Sequence, residues 1–513
     1  MKENTQKRSA AVCIALFAVY GVLTLIGALR HELWFDEAQA WVIARDNDIA
    51  GIISMLKYEG HPPLWHFVLY IFSHLGFGCQ VMPLISWAFS VIAAGIILFK
   101  LPIGTPLKAA IVFSNGFLFY NSVMSRVYCL IPLLLCLIAL LYPNRKKHPV
   151  LFGTLVALLA NTHIFVCGIV GIIGIYMLID LWGDWKKNSA KQNTFNLIGL
   201  GIAGAGVLLL VLPLIEIFVS NTYISGSRLS AASIISGFAY CFFNVSSSSV
   251  SSPFTGFLTM PFAVIMQFMM IAVLILMRHW RKGFIIELIF ILFYIFTNEI
   301  LWFTIPNRAV LFLFSFVFTF VIAKTADKPV FKEPKANVKS SSRLIQGLID
   351  FFAKCDRNAE KTCGILLTVM FVLTIPSGAA YLVKDYGEEF CPAKETAEFI
   401  RSDLEKDAVF VSDSDYFTQL AAYLPEYKFY ALDYGEFYTY TSHKPLPETA
   451  DGEKIYSDLS GYEHIYYVIS SSQADHPESP VNVVYNVREG IPFCGNICYL
   501  EISEFDLDER IRH

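Results

Sequence analysis

Two adjacent carboxylates, Asp36 and Glu37, lie in a stretch whose residue types suit acid–base chemistry. The stretch is RHELWFDEAQAWVIARDNDIAGIISMLKYEGHPPLWH, residues 30–66, directly after the first long apolar segment. A positioned carboxylate can take the proton of an attacking hydroxyl group, and a second acid beside it can orient the acceptor. We therefore interpret residues 30–66 as a catalytic loop with Asp36 and Glu37 as its catalytic candidates. The alternative is that the two acids only keep an exposed loop soluble.

Tryptophans accompany this pair of acids. Trp34, Trp41 and Trp65 occupy the same stretch, which is typical of chain at the boundary between membrane and water. Ionised side chains at such a boundary are costly unless they serve a function. We expect Trp34, the nearest of the three to the acids, to contribute to substrate binding.

The elements that position this loop are predicted to be membrane helices. Only 16% of the residues are charged, whereas a soluble protein has about a quarter. Apolar runs of near-spanning length recur along the chain, which predicts a polytopic α-helical membrane protein. They fall near 9–29, 61–77, 82–101, 106–122, 126–142, 149–163, 165–182, 196–219, 257–278, 283–303, 307–323 and 363–383.

The basic residues between these runs predict the topology, because Lys and Arg accumulate in cytoplasmic loops. All basic connections fall inside only if the run 61–77, which begins next to Pro62 and Pro63, does not make a full crossing. We therefore expect about eleven spans in the cell membrane, a cytoplasmic N-terminus and an extracytoplasmic C-terminal domain. A full crossing at 61–77 with another run failing to span gives the same sidedness.

The composition also predicts domain boundaries. Residues 384–513 contain 10 Lys and Arg against 26 Asp and Glu, and they alternate helical and strand patterns. We expect residues 1–323 to form a transmembrane catalytic domain and 384–513 a small, acidic, extracytoplasmic α/β domain. Between them we place a cytoplasmic linker at 324–362 and a last transmembrane helix at 363–383. SSRLIQGLIDFFAK in the linker has the spacing of an interfacial helix.

The topology places several further polar residues on the same outer face as the acidic pair. Arg126 and Arg308 are candidates for binding a phosphate, because guanidinium geometry matches phosphate oxygens. We add His61 and Tyr128 to the phosphate-binding set. The alternative for each arginine is a side chain that merely extends to the membrane interface.

His163 and Asn307 complete the candidate set as possible substrate-binding residues. A histidine at a helix end is also common as an interfacial residue without a role in binding. His61 with Glu59 or Glu37 offers ligands for a divalent metal, but the spacing matches no defined metal motif. We therefore predict no metal and no other cofactor. The basic runs are short and flank apolar segments, so nucleic acid is not expected as a partner.

Several of these segments together resemble a known family. WFDEAQAW, EGHPPLWHFVLYIFSHLGF, NSVMSRVYCL and NTHIF resemble the GT-C glycosyltransferases, in particular the superfamily of protein O-mannosyltransferases and lipid A aminoarabinose transferases. The resemblance covers roughly residues 9–320. It implies an integral-membrane enzyme that transfers a sugar from a polyprenyl-phosphate-linked donor on the outer face, with inversion at the anomeric carbon. The acceptor is left undefined, because the C-terminal domain does not match the extra modules of the mannosyltransferases.

The resemblance also implies roles for individual residues. Asp36 matches the loop aspartate that acts as the base, and Glu37 matches the acid beside it. Arg126 corresponds to the family's arginine at the start of a later span, whereas Arg308 has no clear counterpart. Two other functions remain open, a transporter or flippase of lipid-linked or polar solutes and a membrane sensor. No duplicated halves of the kind common in transporters are visible, and a sensor leaves the acidic loop without a role.

Overall fold

A computed structural model of the chain describes residues 2–59, 61–220, 242–251, 258–300, 306–326, 343–412, 417–440, 451–471, 482–488 and 499–507. Within these ranges the chain is mainly helical, with a small sheet near the C-terminus. Sixteen helices precede the C-terminal domain among the described residues: α1 (Lys2–Arg30), α2 (Phe35–Asp46), α3 (Ile49–Glu59), α4 (Leu64–His74), α5 (Met82–Phe99), α6 (Thr105–Val112), α7 (Leu130–Leu141), α8 (Pro149–Ala160), α9 (Cys167–Asp184), α10 (Ala190–Ser220), α11 (242–250), α12 (Thr259–Met277), α13 (Arg281–Ile300), α14 (Pro306–Ala326), α15 (Arg343–Arg357) and α16 (Ala359–Gly387).

Eight of the eleven predicted spans correspond to described helices that are long and apolar enough to cross a membrane. A helix needs about 20 residues to span about 30 Å of hydrocarbon. The eight segments are Arg8–Arg30, Cys79–Phe99, Val127–Asn144, Ile164–Asp184, Ala190–Val211, Thr259–Met277, Arg308–Ala326 and Ala359–Gly387. The chain is thus a multi-pass membrane protein with a small C-terminal α/β region, as the sequence predicted.

The remaining apolar runs form shorter or more polar helices. The run 106–122 is α-helical only over α6 and then enters a π-helical turn at Gly116–Tyr120. The run 149–163 forms α8, which has 12 residues. The described part of the run 283–303 lies in α13, where Glu287 is buried and accepts hydrogen bonds from the hydroxyls of Ser315 and Thr319 at 2.9 and 2.8 Å.

Helix α4 occupies the run that was not expected to cross the membrane. It has 11 residues, which at 1.5 Å per residue gives a length of about 16 Å, roughly half the hydrocarbon thickness. Pro62 and Pro63 precede it, and a glycine with a φ of 87°, Gly76, follows its end. A single straight helix of this length does not span a bilayer.

The chain divides into two compact units. The first contains residues 1–25, 87–122 and 127–382, and the second contains residues 26–86, 123–126 and 383–513. The loop 30–66 therefore belongs to the same compact unit as the C-terminal domain, a grouping that the sequence did not predict.

The C-terminal domain is built on a six-stranded sheet with the order β3-β2-β1-β4-β6-β5. Strands β2, β1 and β4 are parallel, and the other pairs are antiparallel. Its elements are α17 (Ala393–Asp403), β1 (Val409–Ser412), α18 (Thr418–Tyr423), β2 (Lys428–Ala431), β3 (Glu436–Phe437), α19 (Gly452–Leu459), β4 (Ile465–Ser471), β5 (Val483–Val487) and β6 (Tyr499–Glu504). The sequence patterns ETAEFIRSDL and DYFTQLAAYL predict helices where α17 and α18 occur, and AVFVSD, KFYALD and HIYYVIS predict strands where β1, β2 and β4 occur, whereas α19, β3, β5 and β6 were not foreseen.

Both faces of the sheet are covered at its central strand, β1. All four of its residues are buried, as is typical of a parallel strand with elements packed on both sides. Val409 and Val411 face a core with Tyr430 and Leu459, while Phe410 stacks on Phe429 at 5.6 Å on the other face.

Within the second unit, the C-terminal domain packs directly against the loop. The backbone N–H of Leu33 donates to the Tyr423 hydroxyl at 2.9 Å, and Arg45 Nη1 donates to the Ala421 carbonyl at 2.9 Å. The side chain of Glu32 accepts a hydrogen bond from the backbone N–H of Cys391 at 3.1 Å. These contacts fix both ends of the segment that carries α2.

The expected linker helix is present as α15. Its apolar residues follow helical spacing, and Phe351 and Phe352 expose 59% and 65% of their surface. Arg343, Lys354 and Arg357 lie on the same helix. Exposed aromatic rings together with basic residues fit a helix that lies at a membrane surface, and this location stays a prediction.

Candidate active site

Asp36 lies in the first turn of α2, where the helix dipole favours an anionic side chain. Its carboxylate is 38% exposed, so it remains accessible, and its Oδ2 lies 3.2 Å from Arg126 Nη2. Arg126 Nη1 also donates to the backbone carbonyl of Asp36 at 2.6 Å. One arginine therefore holds both the side chain and the backbone of the candidate base.

Arg126 is held by more than Asp36. Its side chain is only 10% exposed, its Nη2 lies 3.3 Å from His61 Nε2, and its guanidinium carbon lies 5.8 Å from the centre of the Trp34 ring. Because a guanidinium group only donates, His61 Nε2 accepts in this contact. The structure thus brings together four of the predicted site residues: Asp36, His61, Trp34 and Arg126.

Glu37 has a different environment from its neighbour. Its side chain is fully enclosed, and its oxygens accept from the backbone N–H groups of Trp34, at 2.7 Å, and Ser125. They also contact His31 Nε2 at 3.1 and 3.3 Å. Trp34 is the residue that precedes α2, so Glu37 caps its own helix while it holds the segment next to Arg126. Of the two adjacent acids, Asp36 is accessible and Glu37 is saturated with donors.

His31 bridges two buried carboxylates. Its Nδ1 lies 2.9 Å from Asp385 Oδ1, and its Nε2 contacts Glu37; all three side chains have no exposed surface. Burial opposes a charge on His31, but the carboxylates of Asp385 and Glu37 outweigh it and raise the pKa of His31 well above its ordinary value. Neither His31 nor Asp385 was among the predicted site residues.

His66 is a second histidine that the sequence analysis left out of the site. It lies in α4 and is 5% exposed. Burial, together with the nearby His61 and Arg126, lowers the pKa of His66 to about 3, so its imidazole is neutral near pH 7. Among the described residues its Nδ1 has no hydrogen-bond partner. It therefore adds an uncharged polar group close to Arg126.

The first unit contains another group of predicted residues. The Tyr128 hydroxyl lies 3.2 Å from His163 Nε2, and both side chains are buried. His163 Nδ1 accepts from the backbone N–H of Phe165 at 3.2 Å, which leaves Nε2 as the position for the proton of a neutral ring. The Arg308 guanidinium carbon lies 5.6 Å from the centre of the Phe165 ring. Tyr128, His163 and Arg308 are thus associated through Phe165.

Some predicted features lie elsewhere or outside the described residues. The side chains of Asn307 and Glu59 are not described, so their predicted roles stay predictions. The structure buries Trp34, Trp41 and Trp65 in packed surroundings, at 3%, 1% and 3% exposure, and their location at the membrane boundary stays a prediction. Within the described ranges no group of three or more His, Cys, Asp or Glu side chains is arranged to hold a metal ion. This observation covers only part of the chain, so the expectation of no metal stays a prediction.

This arrangement combines an accessible carboxylate with a restrained guanidinium group at ion-pair distance, 3.2 Å. The carboxylate can accept a proton from a hydroxyl group, and the guanidinium group can stabilise negative charge on a phosphate. Because Glu37 is enclosed, it contributes to such chemistry by holding the backbone N–H groups of Trp34 and Ser125, which lie close in the chain to Asp36 and Arg126.

Comparison with known proteins finds similarity only among solved structures. No protein-family model matches the sequence, and no curated protein matches it. The chain is similar to the crystal structure of ArnT from Cupriavidus metallidurans bound to undecaprenyl phosphate, with a TM-score of 0.49 and 10% sequence identity. The similarity covers 97% of this chain and 99% of that chain.

Proposed function

We propose that this protein is an inverting membrane glycosyltransferase that uses a polyprenyl-phosphate-linked sugar as its donor. The acceptor is an extracytoplasmic hydroxyl group on a protein, a lipid or a cell-wall glycan. The observation that carries the proposal is the pairing of Asp36, which is accessible, with Arg126, which is buried and restrained. The motifs WFDEAQAW and EGHPPLWH support the donor class through their resemblance to GT-C enzymes.

The reaction follows from the two groups. Asp36 takes the proton of the acceptor hydroxyl as its oxygen attacks C1 of the sugar. The bond between C1 and the phosphate oxygen breaks, and its electron pair stays on that oxygen. Arg126 stabilises the charge on the departing polyprenyl phosphate. Attack from the face opposite the phosphate inverts the anomeric carbon, and a good leaving group needs no general acid.

The remaining site residues have supporting roles in this proposal. His61 contacts Arg126 and contributes to binding of the donor phosphate, and Trp34 covers the guanidinium group. Glu37 positions the loop. Tyr128, His163 and Arg308 form the further substrate-binding group, with Arg308 as its cation. The basic connections predict that the loop and the C-terminal domain are extracytoplasmic.

A transfer assay tests the class of function. The purified protein in proteoliposomes receives a panel of radiolabelled polyprenyl-phosphate sugars, with a cell-envelope extract as the source of acceptor. We expect label to move from the lipid to an acceptor, and the product linkage to show the opposite anomeric configuration by NMR. Intact donor that crosses the bilayer without cleavage would instead identify a flippase. Retained configuration would contradict the single displacement.

A further inference from the structure

The loop and the last long helix are joined by a buried bridge that the reaction itself does not use. His31 follows α1, Glu37 lies in α2, and Asp385 lies near the end of α16, 354 residues after His31. The two nitrogen atoms of one imidazole contact one carboxylate each, at 2.9 and 3.1 Å, and none of the three side chains reaches solvent. A charged cluster this well enclosed is costly unless every partner is satisfied.

The hydrogen-bond roles in the bridge follow from its other partners. Glu37 accepts the backbone N–H of Trp34 at Oε2 and that of Ser125 at Oε1, so both of its oxygens already serve as acceptors. His31 Nε2 must then donate to it. Asp385 faces the other nitrogen, Nδ1, and an ionised Asp385 also requires a donor there. An imidazolium group, with a proton on both nitrogens, donates to both carboxylates at once, while Asp385 Oδ2 has no hydrogen-bond partner among the described residues.

Glu37 transmits this bridge to the two proposed catalytic groups. It holds the N–H of Trp34 at the start of α2, which carries Asp36 as its second residue. It also holds the N–H of Ser125, whose neighbour along the chain is Arg126. A single enclosed carboxylate therefore fixes the backbone on both sides of the Asp36–Arg126 pair.

We propose that His31 is a positioning residue that, together with Asp385, holds Glu37 and thereby orders the backbone that carries Asp36 and Arg126. Its part in catalysis rests on the proposed glycosyltransferase function. Because the side chain of His31 has no exposed surface, it acts through Glu37 and does not touch the substrate. Asp385, near the end of α16, thus helps to order the loop.

The test uses two variants of the bridge and one matched control in the full-length protein. His31→Gln removes the charge and one of the two donors, and Asp385→Asn changes the far end of the bridge with a smaller change of shape. The control is Glu32→Gln. Glu32 is also a buried carboxylate in the loop and binds Cys391 of the C-terminal domain, but none of its hydrogen bonds reaches Glu37.

Hydrogen exchange measured by mass spectrometry reports on the bridge without any need for activity. We expect the peptides that contain the amides of Trp34 and Ser125 to exchange about tenfold faster or more in His31→Gln and Asp385→Asn, because their acceptor loses its support. We expect Glu32→Gln to leave both peptides unchanged. Unchanged exchange in both bridge variants would overturn the proposal, whatever the enzyme activity.

Steady-state kinetics then distinguish misplacement of the catalytic groups from a general loss of folded protein. We expect kcat to fall about tenfold to a hundredfold in each bridge variant while the KM for the donor changes little, since misplacement by about 1 Å is enough for such a loss. The double variant should be no worse than the poorer single variant, because both act on one unit. Faster exchange with wild-type kcat would overturn the role in catalysis. Inactive wild-type protein would count against the glycosyltransferase itself, and the exchange result would still decide whether His31 orders the loop.

Discussion

The carboxylate of Asp36 and the guanidinium group of Arg126 lie 3.2 Å apart, although 90 residues separate them in the chain. Arg126 also binds the backbone carbonyl of Asp36, so the arginine and the first turn of α2 are locked together. A base for the acceptor and a cation for the leaving phosphate are therefore neighbours before any substrate binds. Because an inverting displacement places the attacking hydroxyl group and the leaving phosphate on opposite faces of the sugar, binding of the donor and the acceptor has to separate this ion pair.

The shape of the Arg126 side chain should matter as much as its charge. Its guanidinium group contacts Asp36 twice and His61 once, and a lysine ammonium group cannot reproduce that planar set of donors. We expect Arg126→Lys to lower kcat/KM for the donor about a hundredfold, the size of loss seen when one group that stabilises a developing anion is removed.

Arg45→Lys is the matched control for this prediction. Arg45 lies in the last turn of α2 and binds Asp46 and the Ala421 carbonyl, and the proposed mechanism gives it no role. Steady-state kinetics with the radiolabelled donor measure both variants. Near wild-type activity in Arg126→Lys would show that a simple positive charge suffices.

The sequence predicted several residues of the candidate site but not the contacts between them. Asp36, His61 and Arg126 were expected on one face, because the pattern of basic connections placed their segments on the same side of the membrane. The structure adds the contacts between them. The different environments of Asp36 and Glu37 were not predictable, because adjacent letters in a sequence do not reveal which side chain faces the interior.

Long-range contacts and local departures from regular helix account for what the sequence missed. The partner of His31 is 354 residues away, and no local spacing predicts such a pair. The run 106–122 is apolar enough to suggest a span, yet its helix ends at Val112 and a π-helical turn follows. In the C-terminal domain, β5 and β6 pair with each other at one end of the sheet, and their short polar flanks gave no clear strand boundaries.

The bridge through His31 predicts how stability depends on pH. The pKa of His31 is raised in the folded protein, so its contribution to stability is complete below its unfolded pKa of about 6.5 and declines as the pH rises through the folded pKa. We expect the difference in Tm between wild type and His31→Gln to be largest near about pH 6 and to shrink steadily at higher pH. Differential scanning fluorimetry in detergent measures it. A difference that grows with pH would mean that His31 is neutral in the folded protein.

His66 should not contribute to the pH dependence of activity. Burial and the nearby His61 and Arg126 lower its pKa to about 3, so its imidazole keeps one protonation state across the range in which the enzyme is assayed. We expect His66→Gln to leave the inflections of the kcat/KM profile between about pH 5 and 8 unmoved, even where the absolute rate falls. An inflection that disappears in this variant would show that His66 titrates in that range.

The most direct test of the account compares Asp36→Asn with wild type in single-turnover transfer and in donor binding. The amide keeps the shape of the side chain but cannot accept the proton, so we expect transfer to fall a hundredfold or more, the lower range for a general base. The donor should still bind, because Arg126 and His61 remain. Asp48 is an exposed acid whose carboxylate accepts from the backbone N–H of Gly51 in α3. As the matched control, Asp48→Asn should retain wild-type transfer. Transfer at the wild-type rate by Asp36→Asn would contradict the assignment of Asp36 as the base.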